Sequence, residues 1–139
     1  MQMMLIRRAV AALTVTAATA PLLTGCDRII WGAEGAHVIA TTEHLITAGQ
    51  AGDYDDIACE DTVANFGTRA DWEGLSAGEP EQYSGDYFRE QAALDPSWHI
   101  NLELIGRDAV TGVSFPGDVF WRDTSDGLCV TDIVWSTVM

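Results

Sequence analysis

The sequence contains no lysine, and its seven arginines are outnumbered by 21 aspartates and glutamates, which gives a formal net charge of −14 at pH 7. A field of that sign repels phosphate groups, so we expect no nucleic acid to bind. Anionic lipid headgroups are repelled for the same reason, and any attachment to a membrane must come from apolar groups. The use of arginine without lysine indicates a GC-rich genome and says nothing about function.

Cysteine is also scarce and occurs only at Cys26, Cys59 and Cys129. There is no Cys-x-x-Cys pair, and no histidine lies within metal-ligand spacing of Cys59 or Cys129, which argues against a zinc site. We likewise expect no Gly-x-Ser-x-Gly nucleophile elbow, no Walker phosphate-binding loop and no zincin motif. We therefore predict neither a metal nor a cofactor, and the motifs leave the biochemical activity open.

What the chain does have is an N-terminal export signal. Two arginines at positions 7 and 8 precede an apolar run over residues 9–23, which is too short to span a membrane and is typical of a secretory leader. The run ends in Leu23-Thr24-Gly25-Cys26, which resembles the lipobox of bacterial lipoproteins. The resemblance implies cleavage between Gly25 and Cys26, a diacylglycerol thioether on Cys26, and commonly a further acyl chain such as palmitate. An ordinary signal peptide with an incidental cysteine is the alternative.

Cleavage there divides the chain into a signal peptide (1–25), a short membrane tether (26–34) and a single domain (35–139). The domain would be lipid-anchored at the cell membrane and face outside the cytoplasm, because two or more acyl chains hold a protein stably. Cys59 and Cys129 would then lie where disulfides persist, and they most simply pair with each other. Two buried free thiols are the alternative.

Hydrophobic periodicity predicts an α+β fold, with N-terminal helices packed on a curved antiparallel sheet formed mainly by residues 98–138. The first helix covers 33–49, where apolar residues recur at helical spacing. A second, shorter helix is expected to begin at the cap residue Asp53, and a third to run from Pro80 to about Ala93.

The last third of the chain has the pattern of strands. Residues 98–104 alternate between apolar and polar side chains without a fault. A second strand is predicted over 110–115, with a turn or bulge at Pro116-Gly117 before residues 118–122. Asp126-Gly127 predicts a hairpin into the final strand, 128–138.

Both faces of that final strand are mostly apolar, so both should be covered. Strict alternation places Cys129, Ile133 and Trp135 on one face, which a bridge to Cys59 would put under the helices. The opposite face would need another cover, such as a dimer partner or the segment Ile29–Trp31.

The run Thr47-Ala48-Gly49-Gln50-Ala51-Gly52-Asp53-Tyr54-Asp55-Asp56-Ile57, followed by long strands, resembles the nuclear-transport-factor-two-like (cystatin-like cone) superfamily. That resemblance implies a sheet folded around helices to leave a pocket. Some members are small-molecule enzymes of the ketosteroid-isomerase-like or polyketide-cyclase-like type, and many others are non-catalytic binding or dimerisation modules. Membership alone would therefore not assign a function.

Three residues are candidates for catalysis. Asp132 lies between Val130 and Val134 on one apolar face of the last strand, where desolvation would raise its pKa. A pairing with Arg107 or Arg122 across the sheet is the alternative. Asp118 follows the Pro116-Gly117 turn and could line a pocket mouth. His99 shares its face with polar neighbours, which favours a solvated imidazole over a catalytic one. Of the five tryptophans, Trp72 in a glycine-rich loop is expected to contact a partner.

We therefore expect a membrane-anchored lipoprotein that acts outside the cytoplasm as a non-enzymatic binding or interaction module. Its partners would be the membrane, through the lipid, together with a protein or a second copy of the chain, or a small apolar ligand. The alternative is a small-molecule enzyme of one of the two cone types, using a pocket carboxylate.

Overall fold

The computed structural model describes residues 23–139, so most of the predicted signal peptide lies outside the described part. Its elements are α1 (Leu23–Ala51), β1 (Leu75–Gln82), β2 (Trp98–Leu104), β3 (Ser114–Thr124) and β4 (Gly127–Thr137), with short 3-10 helices at Arg69–Trp72 and Arg89–Leu94. The strands form one antiparallel sheet in the order β1-β2-β3-β4. Helix α1 packs on one face of this sheet, which confirms the α+β fold class.

Helix α1 buries the stripe that the sequence predicts. Val38, Thr42 and Leu45 are almost fully buried, and the Trp121 indole of β3 donates a hydrogen bond of 3.1 Å to Thr42 Oγ1. Gly32 (φ 73°) kinks the helix, which is helical on both sides of that residue. The predicted tether 26–34 is therefore helical, and a helix rises only about 1.5 Å per residue, so its reach is shorter than that of an extended chain.

The predicted second helix is wrong, because Asp53 belongs to the end of α1. Gly52 (φ 69°) donates its N–H to Gly49 O, and Asp53 donates to Ala48 O at 2.9 Å, which is a Schellman cap. The chain then makes one turn, and the Cys59 N–H donates to Val130 O in β4 instead of continuing that turn.

The predicted third helix is also wrong. Pro80 lies in β1, opposite Ile100, and Arg89–Leu94 forms only a 3-10 helix. Strand β1 is an edge of the sheet, where a residue without an N–H is tolerated.

Two bulges in the pairing of β3 with β4 change which side chains share a face. Pro116 and Asp118 of β3 are opposite the consecutive residues Trp135 and Val134, so Gly117 is extra, as the predicted turn or bulge allows. In β4, Thr131 is extra between Val130 and Asp132. The expected strict alternation of β4 is therefore wrong: Val130 and Ile133 both enter the core beneath α1.

The disulfide between Cys59 and Cys129 is confirmed, with the two Cα atoms 4.9 Å apart. It lies beside a segment, residues 57–63, that runs parallel to the open edge of β4 and bonds to Val130 and Thr131. Cys129 is opposite Arg122, on the face away from α1, so its predicted position under the helix is wrong.

That second face, which we call the outer face, is covered by the chain itself. The connection between β1 and β2, residues 83–97, folds over it, and the Tyr83 and Phe88 rings contact Phe120 edge-on. Arg122 donates to Leu94 O at 3.0 Å and, with its other nitrogens, to Asp61. These contacts tie the connection to the 57–63 segment, so the predicted cover by Ile29–Trp31 is wrong.

Candidate functional site

The outer face carries a row of four side chains that crosses the whole sheet. Glu81 is opposite His99, His99 is opposite Phe120, and Phe120 is opposite Asp132. Asp118 stands in the next row, opposite Asn101. The structure therefore places the three candidates predicted from the sequence, Asp132, Asp118 and His99, on a single face of the sheet.

A hollow opens at one end of this row, between the sheet and the 83–97 connection. We call it the outer hollow, and its volume is about 430 Å³. Its lining consists of Glu81, Gln82, Ser84, Tyr87, Phe88 and His99. The first two come from the end of β1 and the last from β2, so three of the six side chains stand on regular strands.

His99 is the most constrained residue of the hollow. Its ring lies 4.8 Å from the Phe88 ring and 5.8 Å from the Phe120 ring, and its side chain is only 12% exposed. Nε2 is 3.8 Å from a Glu81 carboxylate oxygen, whereas Nδ1 is buried without a hydrogen-bond partner among the described residues. The expectation of a solvated imidazole is therefore wrong, because the 83–97 connection covers the ring.

Asp118 is half-buried beside this pair. Desolvation raises the pKa of its carboxyl group above the ordinary aspartate value; the His99 imidazole opposes the shift and the Glu81 carboxylate adds to it. A carboxylate with a raised pKa binds a proton more tightly than a free one and is therefore the better proton acceptor.

We predict that Asp118→Asn raises Tm at neutral pH. A folded-state pKa above the unfolded value means that the stabilising form is the protonated one, so stability falls as pH rises through the folded pKa. Asparagine does not ionise, and its advantage should vanish below the ordinary aspartate range. Thermal unfolding followed by circular dichroism, at neutral pH and at a pH below the ordinary aspartate pKa, measures the difference in Tm between the variant and the wild type. Asp123→Asn, on an exposed residue of the same strand, is the control; an equal gain in both variants would contradict the prediction.

Both carboxylate oxygens of Asp132 accept hydrogen bonds within the fold. Its Oδ2 accepts a hydrogen bond of 3.2 Å from the buried amide of Gln91, and its Oδ1 accepts the Ile133 N–H at 2.8 Å. The alternative of a pairing with an arginine is wrong, because Arg122 binds Asp61 and Arg107 donates to Ala70 O. Phe120 separates Asp132 from His99 in the row, so the two candidates do not meet.

The expectation that the chain has no Gly-x-Ser-x-Gly pattern is wrong, because Gly74-Leu75-Ser76-Ala77-Gly78 has that spacing, which is typical of a nucleophile elbow. That motif requires a sharp turn between a strand and a helix. Ser76 instead lies within β1, opposite Glu103, and its hydroxyl is bonded to the Glu43 carboxylate at 3.3 Å. The geometry does not support a nucleophilic serine.

A second hollow, about 570 Å³, adjoins the disulfide and is bordered by several carboxylates. The hydrogen bond from Arg122 holds the pKa of Asp61, one of these carboxylates, below its ordinary value. Among residues 23–139, no three potential metal ligands come together.

No helix in the described part of the chain is both long enough and apolar enough to cross a bilayer. Comparison of the sequence with protein-family models and with curated proteins, and of the structure with solved structures, gave no match. The site must therefore be interpreted from its own geometry.

Proposed function

We propose that this chain is an exported, lipid-anchored module that works at the outer side of the cell membrane and binds a ligand or partner there without catalysing a reaction. The observation that carries the proposal is the division among the cysteines. Cys59 and Cys129 are joined, whereas Cys26 is free and exposed directly after the predicted cleavage site. Structural disulfides persist in oxidising compartments outside the cytoplasm, and an export signal would deliver the chain to such a compartment.

The segment after Cys26 supports an anchor at this end. Ile29 and Ile30 are 86% and 68% exposed, within three and four residues of the proposed acylation site. Apolar side chains so close to a lipidated residue can enter the interfacial layer of a bilayer and add to the binding by the acyl chains.

A small-molecule enzyme is the second candidate, favoured by the raised pKa of Asp118 beside His99. We place it second because neither Asp118 nor Asp132 lines the outer hollow, where a substrate would have to be held. His99, the remaining candidate, has no acidic partner within hydrogen-bond distance in the described part of the chain, since Glu81 is 3.8 Å away.

Metabolic labelling with an alkyne fatty acid tests the anchor. The full chain should be labelled when expressed with its leader in bacteria, Cys26→Ser should lose essentially all label, and the control Cys59→Ser should keep it. Mass spectrometry of the product should find an N-terminal Cys26 that carries diacylglycerol. An unlabelled wild-type chain, or an unmodified thiol at Cys26, would refute the proposal.

A further inference from the structure

We infer that the outer hollow is a binding site for an organic ammonium group, held by the Glu81 carboxylate and by the Tyr87 and Phe88 rings. This inference deepens the proposed binding function by naming the chemistry of its ligand. Nothing in its argument depends on the lipid, so the two proposals can fail separately.

The charges around the hollow favour a cation. Glu81 is the one acidic side chain among the six lining residues, and Asp118 is close enough for the Glu81 carboxylate to raise its pKa. None of the six lining residues is an arginine, and the chain has no lysine. Arg89, the nearest arginine along the chain, borders a neighbouring hollow on the other side of Tyr87 and Phe88. An anion would therefore meet repulsion from Glu81 and find no arginine or lysine in the lining.

The aromatic side chains favour an organic cation over a metal ion. The face of an aromatic ring attracts ammonium groups, and the attraction strengthens when water is displaced. Tyr87 is 86% exposed, which is unusual for so large an aromatic side chain, and it lines the hollow together with Glu81. A carboxylate provides the opposite charge, and two aromatic rings provide the cation–π contacts, that an alkylated ammonium group binds.

The hollow is also pre-formed. The Tyr83 hydroxyl donates to Phe88 O, and the Tyr83 N–H donates to Ser97 O at 3.0 Å, so the connection is fastened at both ends. Phe88 is further held by its ring contacts with His99 and Phe120, at 4.8 and 5.0 Å. A volume of about 430 Å³ falls at the small end of the range for ligand sites, which suits a small amine or a single side chain.

Choline and its neutral isostere 3,3-dimethylbutan-1-ol are the probes that test the charge. We would titrate each into the isotope-labelled full chain in a maltoside detergent, which carries no ammonium group, and follow backbone amide shifts by NMR. Saturable shifts with choline at Glu81, Tyr87 and Phe88, and at least roughly fivefold weaker binding of the alcohol, are expected. Equal binding of choline and the alcohol would overturn the inference.

Variants of exposed residues identify the site. Glu81→Gln and Tyr87→Ala should each weaken choline binding roughly fivefold or more. Glu103→Gln removes one negative charge from the same sheet outside the hollow and should leave the affinity unchanged. If Glu103→Gln weakens binding as much as Glu81→Gln, the effect comes from net charge and the inference fails.

A further arm separates a free amine from a lysine side chain on a polypeptide. Nα-acetyl-lysine amide replaces choline under the same conditions. Tighter binding of the lysine derivative assigns the site to a protein partner, and tighter binding of choline assigns it to a small quaternary amine; both support the ammonium site. Failure of both probes overturns it, even if the lipid label on Cys26 is found.

Discussion

Replacing Cys129 by alanine is expected to lower the free energy of unfolding by about 4 kcal/mol. The two cysteines are 70 residues apart in the sequence. In the chain-entropy model, a bridge that closes a loop of that length stabilises the fold by about 4 kcal/mol, because it restricts the unfolded chain. A domain of this size has a net stability of about 5–15 kcal/mol, so the loss is a large share of the total.

The bridge also protects an edge of the sheet. Residues 57–63 bond to β4 through Cys59 N–H to Val130 O at 3.0 Å and Val130 N–H to Ile57 O at 2.8 Å. Without the covalent link this segment can separate more readily and leave unpaired backbone groups, which favours edge-to-edge association. We therefore expect Cys129→Ala to aggregate at a lower temperature than the wild type, and to unfold at a lower urea concentration.

Urea unfolding of the full chain with and without reductant measures this effect. Reductant should destabilise the wild type about as much as Cys129→Ala does, and it should leave that variant unchanged. Cys26→Ala is the control, because this exposed residue takes no part in the bridge. An unfolding midpoint of the wild type that reductant does not move would contradict the disulfide.

Trp72→Ala should lower the free energy of unfolding by about 3–5 kcal/mol, which is the range for removing a fully buried large aromatic side chain. The Trp72 side chain is completely buried, and its indole donates a hydrogen bond of 2.7 Å to Phe66 O. A Cβ placed on Gly49 of α1 would come within 2.4 Å of the indole, so the ring lies directly against the helix backbone. The expectation that Trp72 contacts a partner is therefore wrong.

Urea unfolding of matched variants checks this. Trp72→Phe keeps an aromatic ring but leaves Phe66 O unpaired, and it should fall between the wild type and Trp72→Ala. Tyr87→Ala removes an aromatic side chain that is 86% exposed and should change the stability little. A loss below about 1 kcal/mol for Trp72→Ala would show that the residue is not part of the core.

Some of this fold follows from local sequence patterns. The alternation over 98–104 predicts β2 with both ends correct, and Asp126-Gly127 predicts the hairpin between β3 and β4. The stripe that includes Val38, Thr42 and Leu45 predicts the buried face of α1. In each case neighbouring residues in the sequence carry the whole signal, because a two-residue or 3.6-residue period determines which side chains share a face.

The sequence by itself also predicted the bridge between Cys59 and Cys129. Only the tertiary structure decided that residues 80–93 continue an edge strand and fold over the outer face, because Pro80 satisfies the start of a helix as well as the edge of a sheet. Val130 and Asp132 take opposite faces only because of the bulge at Thr131. The position of that bulge depends on the register between β3 and β4. The outer hollow brings Glu81 and His99 together with the Tyr87–Phe88 pair through strand pairing and loop closure, and no local pattern carries that information.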